Sequence, residues 1–209
     1  MAEGPAAVES LVSLGVLYRR LSRFDDALQA LGEALDVDPG RREALLLSAE
    51  VSGDRGDTPA MLRFAELMLA RDSGDVEGAA LLAEARLRAG ELERASREAA
   101  SILAVHPAET RALQVHAVAH AELGNRNLAR ESFEKLLEID PEDWIQLNNL
   151  GKLELASGNS ERAAELFERA VDLNSRNLEG YRGLDEAAGK IEDKTRLERA
   201  RSMGRFLSR

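Results

Sequence analysis

The chain has 209 residues, of which 44% are hydrophobic and 32% are charged, and these proportions predict a folded protein rather than a disordered one. Its 28 Lys and Arg against 38 Asp and Glu give a formal net charge of -10, and aromatic residues make up 4%. An acidic, aromatic-poor chain is a poor candidate for binding nucleic acid, because that binding depends on neutralising phosphates and stacking on bases. The absence of cysteine excludes disulfides and thiolate metal sites.

Composition also predicts the fold class. Alanine and leucine number 33 each, against 10 Val, 4 Ile and 3 Thr. Since Ala and Leu are strong helix formers and β-branched residues are typical of strands, we predict an all-α protein. No apolar run approaches the roughly 18–20 residues that span a bilayer, and the first ten residues lack the basic residues that begin a signal peptide. We therefore expect a soluble, cytoplasmic protein without a transmembrane segment.

A period of 34 residues organises the chain after a predicted N-terminal tail at residues 1–7. Apolar and small residues recur in columns at this spacing, and proline recurs near the end of three units. A column of Ser or Gly keeps the same register: Ser22, Gly56, Gly90, Gly124 and Gly158. The period predicts five consecutive repeats without insertions, at residues 8–41, 42–75, 76–109, 110–143 and 144–177.

Each unit has the pattern of two antiparallel helices, A and then B. In the first unit Leu11, Leu14 and Tyr18 fall at helical spacing, and Gly15 is small enough to let a second helix approach. The Ser/Gly column lies between the two helical stretches, where a turn requires a permissive backbone or a cap. Proline near the end of a unit stops helix B. Because one pair cannot bury its apolar side alone, we expect the pairs to stack.

These columns resemble the tetratricopeptide repeat family. Its pattern of Leu, Leu-Gly, Tyr, Ala, Phe, Ala and Pro is met in the first unit by Leu11, Leu14, Gly15, Tyr18, Ala27, Leu31, Ala34 and Pro39. The fourth unit matches through Leu113, Gly124, Ala129, Phe133, Leu136 and Pro141, and the fifth through Leu147, Leu150, Gly151, Gly158, Ala163, Phe167 and Ala170. The resemblance covers residues 8–177 and implies an all-α, right-handed α-α superhelical solenoid of antiparallel helix pairs.

The second unit departs most from the family pattern. Positions that are usually apolar, small or proline hold Ser48, Ser52, Met61, Met68 and Ser73. We interpret this unit as a looser repeat. A helix start is still predicted at Thr58-Pro59, where a capping residue is followed by proline at the first helical position.

Residues 178–209 are predicted to form a closing helix pair, with helices over 178–189 and 194–207. Six basic residues and one acidic residue give the segment 194–209 a charge of +5. One apolar side of the last helix can be formed by Leu197, Ala200, Met203, Phe206 and Leu207. We interpret this helix as a cap that seals the last repeat. The alternatives are binding to an anionic membrane surface or to an acidic partner.

No catalytic constellation or phosphate-binding glycine loop is recognisable in the sequence. His116 and His120 lie four residues apart on one helix face and could supply two zinc ligands, but a closed zinc site usually needs four. Both occupy the columns of Leu14 and Tyr18, which face the interior of the helix pair. We therefore predict that they are packing residues, and we expect no catalytic, cofactor or metal site and no enzymatic activity.

The family resemblance implies a binding groove on the A helices. In tetratricopeptide proteins the concave face is lined mainly by the second, fifth, sixth, ninth and twelfth positions of each unit. Carried over, these positions in the N-terminal half hold Val12, Val16, Arg19, Leu46, Leu47, Glu50 and Glu84. In the C-terminal half the groove residues are Arg111, Gln114, Val118, Asn148, Asn149, Lys152 and Arg182.

The sharpest binding hypothesis concerns four of these residues: Asn148, Asn149, Lys152 and Arg182. Side-chain amides can bond both the N–H and the C=O of an extended peptide, and Lys or Arg can hold its carboxylate. The alternative is that they are ordinary solvated polar residues. The two-carboxylate clamp by which some family members grip chaperone C-termini is not expected, because its Lys and Asn positions hold residues such as Val12, Val16 and Leu47.

We predict a non-catalytic protein-interaction adaptor or scaffold that binds a peptide segment or a partner helix in its concave groove. The expected partner is a protein or peptide. Two alternatives stay open at this point. The chain could be the recognition arm of a larger enzyme, such as a glycosyl- or sulfotransferase, or it could self-assemble as a homo-oligomer.

Overall fold

The computed structural model of the chain describes residues 4–208. This part folds into twelve α-helices and contains no β-strand, so the all-α prediction is confirmed. The first six helices are α1 (Gly4–Arg20), α2 (Phe24–Val37), α3 (Arg42–Arg55), α4 (Thr58–Arg71), α5 (Val76–Arg88) and α6 (Leu92–Val105). The other six are α7 (Thr110–Glu122), α8 (Arg126–Ile139), α9 (Trp144–Ala156), α10 (Ser160–Leu173), α11 (Leu178–Lys190) and α12 (Lys194–Leu207).

The helix starts keep the 34-residue period of the sequence. The odd-numbered helices after the first, which are the A helices, begin at Arg42, Val76, Thr110, Trp144 and Leu178. Helix α1 begins earlier than the period requires, at Gly4, so that residues 4–7 of the predicted tail are helical. Pro5 lies in the first turn of α1, where its missing N–H leaves no hydrogen bond unmade. Residues 1–3 of the predicted tail lie outside the described part.

The helices form two compact units, which divide between Val115 and His116 within α7. In the first unit α1 packs on α2, α3 on α4 and α5 on α6, as helix pairs with short connections. Helix α2 packs on α3 and α4 on α5, which joins each pair to the next. The A helices α1, α3 and α5 also contact one another in succession. Each pair therefore buries its apolar side against its neighbours, as stacking requires.

The second unit repeats this packing. Helix α8 packs on α9, α9 on α10, α10 on α11, and α11 on α12. The A helices α9 and α11 are also in contact. Its core at the C-terminal end contains Phe167, Tyr181 and Leu184, against which the partly buried Met203 and Leu207 of α12 pack. This contact matches the capping interpretation of the last helix, except that Phe206 is 70% exposed and takes no part.

The turn between helices A and B requires a left-handed backbone. The residues of the Ser/Gly column have φ angles between 55° and 88°, and so does the next position 34 residues on: Ser22, Gly56, Gly90, Gly124, Gly158 and Glu192. Glycine adopts this conformation without steric cost, whereas Ser22 and Glu192 adopt it with strain. The predicted reason for the column is thus confirmed, and the column extends into the closing pair.

The column of small residues is explained by the close approach of helices A and B. A Cβ atom added to Gly15 would lie 2.8 Å from the Leu31 side chain of α2. A Cβ atom added to Gly151 would lie 2.9 Å from the ring of Phe167 in α10. These distances are shorter than any normal carbon–carbon contact, so glycine is required for the observed packing.

Four of the five unusual residues of the second repeat are buried, and Ser73 is exposed. The buried residues, which are at most 2% exposed, are Ser48, Ser52, Met61 and Met68. The Ser52 hydroxyl donates a hydrogen bond of 2.7 Å to the Ser48 carbonyl oxygen, so this buried polar group is satisfied within the helix.

The predicted cap of α4 is wrong by one residue. Asp57 is the capping residue, because its carboxylate accepts a hydrogen bond of 3.0 Å from the N–H of Ala60, and Thr58 is already the first helical residue. Aspartate is as strong an N-cap as any residue, which accounts for the earlier start. Within residues 4–208, no helix combines the length and the apolar character needed to cross a membrane.

Candidate functional site

The A helices of the first unit carry a connected set of ion pairs. Arg111 on α7 donates to Glu84 on α5 at 2.6 Å and to Glu50 on α3 at 3.0 Å. Arg19 on α1 also pairs with Glu50 and bonds Asp54 at 2.6 Å. The five side chains link helices α1, α3, α5 and α7. We name this set the arginine–glutamate ladder.

The charges of the ladder are satisfied by one another and by Arg88, which pairs with Glu84 at 2.8 Å. Burial lowers the pKa of the Arg111 guanidinium, but the charges and hydrogen bonds of Glu84 and Glu50 outweigh it, and the net pKa lies above the ordinary value. The Arg111 side chain is 25% exposed, and those of Glu50 and Glu84 are 18% and 20% exposed. Four of the predicted groove residues are therefore bound to one another through strong charge-assisted hydrogen bonds.

The apolar groove residues of the first unit differ in exposure. Val16 is 37% exposed, and Val12 and Leu46 are half-buried. Leu47 is 8% exposed and belongs to the core of α1, α2 and α3, so its prediction as a groove residue is wrong. The physical reason is that Leu47, at the sixth position of the second repeat, turns toward the preceding helix pair, α1 and α2. Gln114 is exposed.

The second unit has an open cleft on its A-helix side. The cleft has a volume of about 370 Å³ and includes Val118 of α7 with Asn149 and Lys152 of α9. Its other lining residues are Ala121, Glu122, Gly124, Arg126, Phe133, Leu153 and Ala156. We name it the α7–α9 cleft. It brings together three of the predicted groove residues, with Ala121 and Ala156 among the residues beside them.

Asn149 and Lys152 are held only loosely in the α7–α9 cleft. The Asn149 amide donates to Gln146 Oε1 at 3.4 Å, which is a long hydrogen bond. Lys152 Nζ pairs with Glu179 Oε1 at 2.5 Å, and the two side chains are 48% and 62% exposed. An ion pair so exposed is weak and exchanges readily for another carboxylate.

Asn148 does not line the cleft, so its prediction as a binding residue is wrong. It is 2% exposed, and its amide donates to Asn177 Oδ1 at 3.0 Å. The same Asn177 oxygen accepts from the N–H of Gly180 and caps α11. Asn148 is therefore a structural residue that positions a helix cap.

Arg182 lies in a separate cleft between α11 and α12. This α11–α12 cleft has a volume of about 480 Å³, and Arg201 and Arg205 also line it. Its remaining lining residues are Leu178, Tyr181, Asp185, Ala200, Gly204 and Ser208. The four residues of the sharpest sequence hypothesis thus divide between two clefts and the interior.

His116 and His120 face the inside of their own helix pair, as predicted. The rings lie in a T-shaped contact with centroids 4.3 Å apart. His116 Nδ1 is 2.8 Å from the hydroxyl of Ser132 on α8, and His120 Nδ1 is 3.1 Å from the amide of Asn125. Burial, followed by the charges of His120 and Lys135, lowers the pKa of His116 to about 4. Within residues 4–208, no three His, Cys, Asp or Glu side chains are grouped to hold a metal ion.

Sequence reasoning missed a buried charge in the second unit. Glu154 of α9 is 0% exposed and accepts from Arg130 at 2.6 and 3.2 Å and from Asn159 at 2.6 Å. Burial raises the pKa of its carboxyl, but these hydrogen bonds outweigh it and the net pKa lies below the ordinary value. One feature of the sequence could have revealed it. Glu154 stands at the same repeat position as Tyr18, and that position predicts a side chain facing the interior of the helix pair.

Stacked antiparallel helix pairs with an open A-helix side define a helical-repeat protein of the kind that binds other proteins. A sequence profile described as "Tetratricopeptide repeat" matches residues 12–76, 80–143 and 115–178, which together make up more than half of the chain. The chain belongs to the tetratricopeptide repeat family, whose repeats generally mediate protein–protein interaction.

Three solved structures share this fold at low sequence identity. A thermophilic tetratricopeptide repeat protein from Thermus thermophilus is 23% identical, with a TM-score of 0.74 over 86% of this chain and 98% of the other. A tetratricopeptide repeat protein from Parabacteroides merdae is 22% identical, with a TM-score of 0.74 over 96% and 80%. The pilF protein of Pseudomonas aeruginosa is 17% identical, with a TM-score of 0.78 over 93% and 89%. No curated protein sequence gives a significant match.

Proposed function

We propose that this protein is a non-catalytic interaction adaptor and that a peptide segment of a partner protein binds in the α7–α9 cleft. The observation that supports the proposal is the combination of Val118, Asn149 and Lys152 around one cleft of about 370 Å³. A volume of this order is within the range of ~300–1,000 Å³ that is typical of ligand pockets.

Each of the three residues has a distinct role in this proposal. The Asn149 amide is free to exchange its long bond to Gln146 for a bond to the peptide backbone. Lys152 exchanges the exposed Glu179 for a carboxylate of the peptide. Val118 and the neighbouring alanines contact an apolar side chain. Backbone contacts then supply affinity, and the carboxylate and the apolar side chain supply register.

The first unit is the weaker candidate for a peptide-binding site, because the arginine–glutamate ladder already engages the charged residues of its A helices. A ligand there would have to break the bonds of Arg111 to Glu50 and Glu84, whose remaining partners would be Arg19 and Arg88. Breaking such pairs is costly. The apolar residues Val12, Val16 and Leu46 remain open to contact a longer partner helix.

The experiment compares two double variants in partner capture. The test variant is Asn149→Ala with Lys152→Ala, and the control is Asn127→Ala with Lys135→Ala, which removes the same residue types from α8. A protein captured by the native chain is purified, and its affinity for each variant is measured by calorimetry. We expect a loss of about tenfold for the test variant alone, at an unchanged melting temperature. Equal affinity for the test variant and the native chain would overturn the proposal.

A further inference from the structure

The α11–α12 cleft has an excess of positive charge. Arg182, Arg201 and Arg205 line it together with a single acidic residue, Asp185. Asp185 pairs with Arg201 at 2.7 Å. Within residues 4–208, neither Arg182 nor Arg205 has a carboxylate within the 4.0 Å of an ion pair, and both are exposed. Three guanidinium groups therefore border this cleft against one carboxylate, so its net charge is positive.

Two other basic residues of α12, Arg196 and Arg199, contact α10, whereas Lys194 is exposed. Arg196 bonds Glu168 of α10 at 3.0 Å, and Arg199 bonds both Glu168 and Asp172. These pairs fix α12 onto the repeat before it. The positive charge of the last helix thus divides between one side that binds α10 and another side that borders the α11–α12 cleft.

The cleft also offers space and an apolar floor. Tyr181 and Ala200 form the floor, and Gly204 leaves one wall open, because a Cβ atom added there would have no neighbour within 4 Å. The volume of about 480 Å³ accommodates a large apolar side chain with part of its backbone. The Arg205 Nε donates a hydrogen bond of 3.1 Å to the carbonyl oxygen of Arg201, and its charge still borders the cleft. A concave apolar floor between the positive charges of Arg182 and Arg205 matches an apolar residue flanked by carboxylates.

We propose that the α11–α12 cleft is a second protein-docking site and that its occupant is an acidic segment of a partner protein, anchored by one large apolar side chain. Charge complementarity with Arg182 and Arg205 selects the segment, and the floor at Tyr181 and Ala200 holds the anchor. A membrane surface fits less well. Membrane binding by a helix needs a continuous exposed apolar face, whereas Met203 and Leu207 of α12 pack into the core and Phe206 is its exposed large apolar side chain.

The probe for the test is a fluorescein-labelled amphipathic peptide of Glu, Leu and Ala, and binding is followed by fluorescence anisotropy. Two matched peptides replace every Glu by Lys or every Leu by Ser. We expect binding of the first peptide only. Equal binding of the Ser-containing peptide would overturn the proposal, because it would mean that charge alone attracts the probe.

Two pairs of protein variants locate the binding. Arg182→Glu and Arg205→Glu are each expected to lower the affinity for the peptide about tenfold. Lys194→Glu makes the same change of charge elsewhere on α12 and is expected to lower this affinity less than about twofold. Gly204→Leu fills the cleft and is expected to abolish binding, while Gly204→Ala leaves it intact. Equal losses for Arg182→Glu and Lys194→Glu, or native affinity of Gly204→Leu, would overturn the proposal.

Two further results would assign the cleft to another occupant. One is pelleting with phosphatidylserine vesicles that depends on Arg182 and Arg205, without binding of the acidic peptide. The other is concentration-dependent self-association that Arg205→Glu abolishes, again without peptide binding. The site is separate from the α7–α9 cleft, so the Asn149→Ala, Lys152→Ala variant is expected to bind the acidic peptide with native affinity.

Discussion

The A helices of the two units place charged residues at corresponding positions of the repeat, but the charges have different surroundings. Glu50 and Glu84 in the first unit share Arg111 and are mostly buried. Lys152 holds the ninth position of the fifth repeat, in the second unit, and pairs with the exposed Glu179. A charged residue in a groove column is therefore not by itself a binding residue. What decides its availability is whether a neighbouring helix supplies a buried counter-charge.

The largest difference between the units is expected on removing Arg111. The Arg111→Met variant keeps the aliphatic stem but leaves Glu50 and Glu84 without their shared cation, and we expect the free energy of unfolding to fall by about 2 to 3 kcal/mol. The measurement is urea unfolding followed by circular dichroism. Arg20→Met, on the exposed side of α1, is the control and is expected to change stability by less than about 0.5 kcal/mol. An unchanged urea midpoint for Arg111→Met would contradict the assignment of the ladder as structural.

Acid is expected to weaken the second unit through His116. Its pKa is about 4 in the folded chain and about 6.5 when unfolded, so the unfolded state binds more protons between these values. Stability contributed by the neutral imidazole is complete above pH ~6.5 and is lost as the pH falls toward 4. We expect a loss of about 1 to 2 kcal/mol, less than the full pKa difference implies, because the half-buried ring is partly screened by solvent.

The single tryptophan, Trp144, lies in the second unit and reports its unfolding by fluorescence. We expect His116→Leu to flatten the pH dependence of this signal between pH 6.5 and 4. We expect His106→Leu to leave the signal unchanged, because His106 lies in the first unit. An identical pH dependence in native and His116→Leu protein would contradict the prediction.

A smaller effect is expected at the strained turn of each unit. Ser22 in the first unit and Glu192 in the second have φ angles of 55° and 57°. Ser22→Gly and Glu192→Gly are each expected to raise the free energy of unfolding by about 1 kcal/mol, because glycine adopts this backbone without strain. Glu192→Ala removes the side chain but keeps the strain, and it serves as the control. If Glu192→Ala stabilised the chain as much as Glu192→Gly, the side chain and not the backbone would be the cause.

The smallest effect is expected for Lys152→Ala. Because Lys152 and Glu179 are both exposed, their pair contributes about 0.5 kcal/mol or less to stability. Thermal unfolding followed by circular dichroism is the measurement. A loss as large as that of Arg111→Met would remove the distinction between a structural ladder and an available cleft.

The fold was predictable to a greater depth than the candidate site. The 34-residue period predicted the first residue of each of the helices α3, α5, α7 and α9, because the period reflects contacts that recur in every helix pair. The site residues depended on contacts that do not recur. Asn148 was predicted to be exposed because its column faces the groove in the family, but here Asn177 draws it into the interior as the support of a helix cap.

The sequence by itself determined the all-α class, the helix pairs and their turns, because these follow from local spacing and from the backbone needs of columns such as Gly15 and Gly158. Only the tertiary structure decided which polar residues are free. Arg111 reaches Glu50 across 61 positions of the chain, and Arg182 joins Arg201 and Arg205 at a cleft between two helices. The physical reason is that the free energy of a charge depends on its burial and its nearest counter-charge, and both are set by packing between distant segments.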